Sequence, residues 1–450
     1  MIKKTVFLII AVCFCFSPVQ AKEPVKTDTD KYCKIIKKYL YTDYKATWRN
    51  PGGKLKYPYL IPGSNAYQGQ LWDWDSWLCD IAMQQIVSDI GNEKDKAELM
   101  EHGKGCLLNF LSLAGLDGWL PGMMTEAGSD KPEFIYKNNP GKPIYAEHAA
   151  FITQLQGGNA EWIREDFEKL QAHITKCYNH HRDKATGLYH WFNDIGVGID
   201  NDPTVFFRPE NSSGNIYYNS LMYKELQSMS YLATCLGFKD LSVYYLGLAK
   251  ELKDAMNKHC WDPRDGNFYS VDLDLLPVTE KPTWGGSFII HSFYPRDYDC
   301  LIMRIEYWAC FMPMWNGIAS KEQAARMVQH ITDTSTFSCL AGIRSLSKME
   351  KMYDVRASGN PSNWRGPVWI ISNYMVFKGL LNYGYEKEAR ELAEKTIAIL
   401  GKDIEKSGAM HEYYDPETGL PLLNKGFQNW NFLVANMIAW YEGRPCIKEF

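Results

Sequence analysis

Apolar positions along this chain recur at helical spacing. Leu221, Met222, Leu226, Met229, Ala233 and Leu236 keep one face of a helix apolar, and Tyr245, Leu248, Leu252 and Met256 repeat the pattern one segment later. Trp369 to Leu381 is apolar nearly all round, which predicts a helix buried on both sides, and Lys387 to Leu400 is amphipathic again. A weak repeat punctuates these helices. His181 to Tyr189, Cys260 to Tyr269 and Tyr414 to Leu420 each carry an Asp, a few polar or Pro residues, a Gly, and a return to apolar residues. Asp and Pro start tight turns and Gly accepts positive φ, so each copy reads as a helix ending in a turn that feeds a short extended segment. Recurring helix pairs with such turns predict an all-α closed ring, with an open superhelical scaffold as the rival. Long irregular stretches such as Leu275 to Tyr298 favour an enzyme with cleft loops.

Composition narrows the function. The 450 residues carry a formal net charge of −4, which gives no electrostatic case for nucleic acid. Aromatic residues make up 14%, with 15 Trp and 28 Tyr. An aromatic core and a sugar cleft both account for that figure, since flat rings stack on the C–H faces of pyranoses. At the N-terminus, Lys3-Lys4 precede an apolar stretch from Thr5 to Phe16, too short to span a bilayer comfortably, and Val19 and Ala21 fit a signal-peptidase site. The expected organisation is a signal peptide over 1–21, cleaved after Ala21, and a single catalytic domain over 30–450, periplasmic or secreted, with no membrane span. Cys13 or Cys15 as a lipoprotein anchor lacks a convincing preceding lipobox. The ten later cysteines are scattered without a Cys-x-x-Cys pair. Some could pair in an oxidising compartment, while most read as small buried hydrophobes. The His residues lack ligand spacing, so neither metal nor cofactor is expected.

Hydrolysis of a glycosidic bond usually needs two carboxyl groups flanking the scissile bond. Gly196-Val197-Gly198-Ile199-Asp200-Asn201-Asp202-Pro203 makes a loop that presents carboxylates, and reads equally as an Asp-rich surface turn. Met410-His411-Glu412-Tyr413-Tyr414 brackets Glu412 with groups able to fix a carboxylate by hydrogen bonds, or is an ordinary loop before a turn. Two aromatic clusters strengthen the functional reading. Leu71 to Trp77 holds Trp72, Trp74 and Trp77 with Asp73 and Asp75, and burying Asp beside Trp is costly unless something pairs with it. Asn363 to Trp369 combines Trp364 and Trp369 with Arg365 and a Gly-Pro bend.

At these four segments the sequence resembles glycoside hydrolase family 63, especially its mannosylglycerate-hydrolase-like branch. Family 37 trehalases are more distantly similar. The resemblance runs from about Trp72 to Trp440. Its most specific motifs are Trp364-Arg365-Gly366-Pro367-Val368-Trp369 with Asn373-Tyr374, and Glu412-Tyr413-Tyr414-Asp415-Pro416-Glu417-Thr418-Gly419. It implies an (α/α)6 barrel and inversion at α-linked glucosides or mannosides, with Asp200 as general acid and Glu412 as general base. Trp74, Asp75, Trp364 and Trp369 would line the sugar subsite, Arg365 would support that wall, and Arg365 and Tyr413 are counted with them as substrate-binding residues. Asp202 is a weaker alternative acid. One departure stands out: where relatives often carry Gln-Pro-Pro, this chain has Gly141-Lys142-Pro143-Ile144. Lys142 would then contact sugar or an acidic aglycone, or else point to solvent or pair with Glu147. The partner is an oligosaccharide or small glycoside. A non-catalytic carbohydrate-binding protein and a polysaccharide lyase on a helical toroid are the alternatives.

Overall fold

The structure, a computed structural model, describes residues 29–115, 117–128, 139–275, 296–356 and 361–450. The segment expected to be a signal peptide, 1–21, and most of the Leu275 to Tyr298 stretch lie outside the described residues.

Twelve α-helices among the described residues alternate between two layers. The inner layer holds α2 (Asp73–Ile90), α4 (Tyr145–Leu155), α6 (Ile216–Cys235), α8 (Met312–Trp315), α10 (Ile370–Asn382) and α12 (Val434–Tyr441). The outer layer holds α1 (Thr29–Asp43), α3 (Glu93–Leu111), α5 (Phe167–His180), α7 (Lys239–His259), α9 (Lys321–Thr332) and α11 (Glu386–Ser407). Burial separates the layers. Every residue of α2 from Asp73 to Val87 is buried, whereas α9 buries only Ala324, Met327, Val328 and Ile331, one stripe of an amphipathic helix. Inner helices pack in order from α4 through α6, α8 and α10 to α12, and α12 packs against α2. The outer helices brace them, with α3 on α2, α7 on α6 and α11 on α10. This is an (α/α)6 barrel.

The doubly buried helix expected at Trp369 to Leu381 is α10, and the amphipathic segments are α7 and α11. α6 departs from its one-sided pattern. Its polar residues Asn219, Ser220, Glu225 and Ser228 are buried along with the apolar ones, because this helix faces neighbours all round. Asn219 shows why a polar residue belongs there. Its amide accepts from Tyr189 N (2.8 Å) and donates to Tyr189 O (2.8 Å), fixing the turn that follows α5. Asn373 of α10 holds the hairpin after α9 in the same way, accepting from Ile343 N and donating to Ala341 O.

The repeated Asp–Gly segments are the turns that follow outer helices. In all three copies the Gly N–H donates to the carbonyl of the Asp four residues earlier: Gly187 to Asp183, Gly266 to Asp262 and Gly419 to Asp415, at 2.8–2.9 Å. All three glycines sit at positive φ, between 70° and 80°, where a Cβ would be strained. The hairpin after α9, pairing Ser338–Cys339 with Gly342–Ile343, occupies the equivalent place with different spacing and escaped the sequence repeat. All ten described cysteines are free, seven of them buried, so none of them pairs.

Candidate active site

The segments entering the inner helices converge at one end of the barrel around a cleft of about 630 Å³. The approach to α2 supplies Tyr67 and Trp72, and the first turn of α2 adds Trp74 and Asp75. Lys142 comes from the loop before α4. The loop before α6 supplies Asp194, Gly198, Asp200 and Phe206. Trp364 and Trp369 precede α10, and Glu412, Phe427 and Trp430 precede α12.

The floor is a packed set of indoles. Trp364 and Trp369 stack with ring centroids 4.0 Å apart and planes within 3°. Trp74 lies 6.0 Å from Trp364 and 5.0 Å from Trp430. Offset and edge contacts at such spacing hold flat faces rigidly, as a site that stacks a sugar ring requires. Trp77, the third Trp of its cluster, points instead into the core against Trp315.

Side-chain and backbone hydrogen bonds tie the loops that carry the carboxyl groups to this floor. Asn201 accepts from Trp364 N (2.8 Å) and donates to Asn363 Oδ1 (3.2 Å), so the Asp200 loop is tied to the Trp364 wall. On the other side, Val368 and Tyr414 exchange backbone hydrogen bonds of 2.8 and 3.0 Å, which sets Glu412 beside Trp369. Both oxygens of Glu412 are held: Tyr67 Oη donates to Oε1 (2.9 Å) and Asn424 Nδ2 to Oε2 (2.5 Å). Glu412 is buried, and burial pushes its carboxyl up to about 7. The two hydrogen bonds oppose that rise, and the charge of Asp200 adds to it. Glu412 thus combines burial with a raised carboxyl and two fixed oxygens, whereas Asp200 is half-buried.

Asp75 is buried on the floor, accepts from Asn429 Nδ2, and is pushed well above the usual carboxylate range by burial, with Lys142 opposing. Lys142 neither reaches solvent nor pairs with Glu147. It is 2% exposed, its Nζ donates to Asp73 Oδ1 (2.9 Å) and its N–H to Asp73 Oδ2 (2.9 Å), and the ammonium sits 5.1 Å from the Trp74 ring. Gly198 makes room for it, since a Cβ there would lie 2.5 Å from Lys142 Cε.

Three expectations change. Asp202 is fully buried, outside the cleft lining, and engaged by Thr204 N (2.8 Å), Thr204 Oγ1 (2.8 Å) and Asn215 Nδ2 (2.9 Å), so it braces the loop. Arg365 lies outside the lining, on the side of Asp354, whose carboxyl is lowered chiefly by hydrogen bonds from Arg356 and least by the charge of Arg365. Tyr413 lies behind the wall, its ring 4.7 Å from Trp369 and its hydroxyl donating to Pro361 O. Sequence reasoning passed over Tyr67 and Asn424, lone polar residues in loops with no motif around them.

Indole faces that can carry a sugar ring and carboxyl groups that can move its protons, set at one end of an (α/α)6 ring, define a glycoside hydrolase. Comparison with known proteins is more particular. The chain belongs to the mannosylglycerate hydrolase MGH1-like glycoside hydrolase domain family, whose sequence model matches residues 67–430. It is similar to mannosylglycerate hydrolase MGH1 of Selaginella moellendorffii, 31% identical over 85% of this chain and 82% of that protein. It is also similar to a probable mannosyl-oligosaccharide glucosidase of Schizosaccharomyces pombe, 23% identical over 66% of this chain and 34% of that one. Its fold is shared with the GH63 mannosylglycerate hydrolase of Thermus thermophilus solved with glucose (TM-score 0.61, 18% identity, 90% of this chain and 98% of that one). The neutral trehalase of Saccharomyces cerevisiae shares it too (TM-score 0.59, 16% identity, 85% and 74%).

Proposed function

We propose that this glycoside hydrolase cleaves an α-linked glucoside or mannoside with inversion, Asp200 acting as general acid and Glu412 as general base. The observation that carries the reading is that the two carboxyl groups line the same indole-floored cleft, with Glu412 held through both oxygens. The glycone ring stacks on the Trp364–Trp369 and Trp74 faces, and Asp75 accepts hydrogen bonds from its hydroxyls. Asp200 gives its proton to the glycosidic oxygen as the bond from that oxygen to the anomeric carbon breaks. A water between Glu412 and the opposite face of the ring attacks that carbon and passes its proton to Glu412. The sugar leaves with inverted configuration, and exchange with solvent resets both groups. Inversion requires the carboxyl groups roughly 6.5–9.5 Å apart to admit that water. A base with its pKa near 7 is matched to proton transfer near neutrality.

Leaving-group ability separates the two roles. Asp200→Asn should lower kcat on a natural glycoside by roughly 100- to 10,000-fold and recover much of it on a dinitrophenyl glycoside, whose leaving group needs no proton. Glu412→Gln should lose activity on both. Recovery by Glu412→Gln and not by Asp200→Asn would reverse the assignment, and near-normal activity of either variant on a natural substrate would remove it. We also propose export with cleavage after Ala21. Mass spectrometry of the protein recovered from its native compartment should find Lys22 at the mature N-terminus.

A further inference from the structure

Relatives named for mannosylglycerate hydrolysis are named for a substrate whose aglycone is a small carboxylate. The lining of this cleft suits a different leaving group. Its charged residues among those described are Asp75, Asp194, Asp200, Glu412 and Lys142. Lys142 is the lone cation in that set, and its Nζ is 2.9 Å from Asp73 Oδ1, so its charge is already matched by a carboxylate outside the lining. Among the described residues, an anionic leaving group would meet the Asp194 carboxylate at the mouth and an ammonium already engaged by Asp73.

The depth of each lining residue shows where the leaving group lies. Trp74, Asp75, Lys142, Trp364, Trp369, Glu412 and Trp430 are each 6% exposed or less, and they form the floor. Trp72, Asp194 and Phe206 are half-buried, and Ile195 is 38% exposed, so these form the mouth. Phe206 and its neighbour Phe207 have ring centroids 4.1 Å apart. Phe207 is 90% exposed and sits at φ 61°, an unusual conformation for a bulky residue, held open to solvent at the rim. A ring on the floor thus leads outward to an aromatic rim with a carboxylate beside it. The cleft volume falls in the range that encloses ligands larger than one pyranose.

We infer that the leaving-group side of the cleft takes a neutral sugar ring, stacked at Phe206 beside Asp194, so that the substrate is a neutral α-linked disaccharide or oligosaccharide and not a carboxylate conjugate. This rests on the hydrolase reading above. Asp194 accepts hydrogen bonds from the leaving sugar's hydroxyls and repels a carboxylate, while Phe206 supplies a face for its C–H groups.

The test holds the glycone fixed and changes only the leaving group. Glycerate, glycerol and hexose conjugates of α-glucose and α-mannose are compared by kcat/KM with wild type, Asp194→Asn, Phe206→Ala and Asp200→Asn. In whichever series is cleaved, the hexose conjugate should be best, and glycerol should exceed the isosteric glycerate by about tenfold at low salt. That gap should shrink as ionic strength rises. Asp194→Asn should narrow the glycerol-to-glycerate gap. Phe206→Ala should cost the hexose conjugate about tenfold more in kcat/KM than it costs the glycerol conjugate. A glycerate conjugate cleaved as well as the hexose conjugate overturns the inference while leaving hydrolysis intact. Cleavage of no conjugate overturns the hydrolase reading on which the inference rests, and full activity of Asp200→Asn removes Asp200 as its acid.

Discussion

Replacing Glu412 by Gln should change the stability of the fold in a pH-dependent way, and the magnitude follows from the site. Burial raises the Glu412 carboxyl from 4.5 to about 7. Between those values the folded chain keeps a proton that the unfolded chain has released, so stability falls as pH rises through that window. The full difference corresponds to roughly 3 kcal/mol at 1.36 kcal/mol per pH unit. Gln carries no such charge, and its altered hydrogen bonds to Tyr67 and Asn424 add a cost that is constant with pH. The other titrating groups are common to both proteins and cancel in the comparison. With about 2.1 cal/mol/K of unfolding entropy per residue over the 450-residue chain, 3 kcal/mol moves Tm by about 3 °C. Melting temperatures of wild type and Glu412→Gln at pH 4 and pH 8.5 make the measurement. The variant should gain about 3 °C relative to wild type on going from acid to base. An equal Tm difference at both pH values would show that Glu412 is not a buried, raised carboxyl, and would remove the reason for calling it a poised base.

Three further outcomes follow from the same contacts. Tyr67→Phe removes a hydrogen bond that favours the Glu412 carboxylate, so the carboxyl rises above about 7 and the acid limb of the kcat/KM profile moves to higher pH. An unmoved limb would show that Glu412 does not set it. Asp202→Asn should cost about 1–3 kcal/mol of stability by disturbing its hydrogen bonds to Thr204 and Asn215 while retaining kcat within about tenfold, in contrast to Asp200→Asn. Loss of activity without loss of stability would return Asp202 to the list of acids. Lys142→Met leaves Asp73 buried without its ammonium, and chemical denaturation should show a loss of about 3 kcal/mol, the low end of the range because backbone N–H groups still reach that carboxylate.

The layering of the barrel was legible wherever burial differs between the two faces of a helix. The outer helices α7 and α11 announce themselves by an apolar stripe, and α10 by apolarity all round. α6 was misread as one-sided because its inward and lateral positions hold Asn219, Glu225 and Ser228, whose burial depends on partners in distant turns. The Asp–Gly turns were readable because their backbone hydrogen bond and positive φ are local requirements. Asp200, Glu412 and the indoles stood out as dense motifs. Arg365 and Tyr413 were carried into the cleft by adjacency to Trp364 and Glu412, yet neighbours in an extended segment point to opposite sides. Tyr67 and Asn424 are 345 and 12 residues from Glu412, and only the closed ring brings Tyr67 to it. Lys142 stood out beside Pro143, but its partner Asp73 depends on how the α4 entry loop meets the first turn of α2.

We propose that water attacks the anomeric carbon from the face opposite the proton-donating Asp200 and gives its proton to Glu412 in one step. Proton NMR of the first minutes of hydrolysis of an α-linked substrate tests it most directly. With inversion, the β-anomer of the free sugar appears first and then mutarotates. Initial release of the α-anomer would mean retention through a covalent intermediate, and would contradict the assignment of Glu412 as a base acting on water.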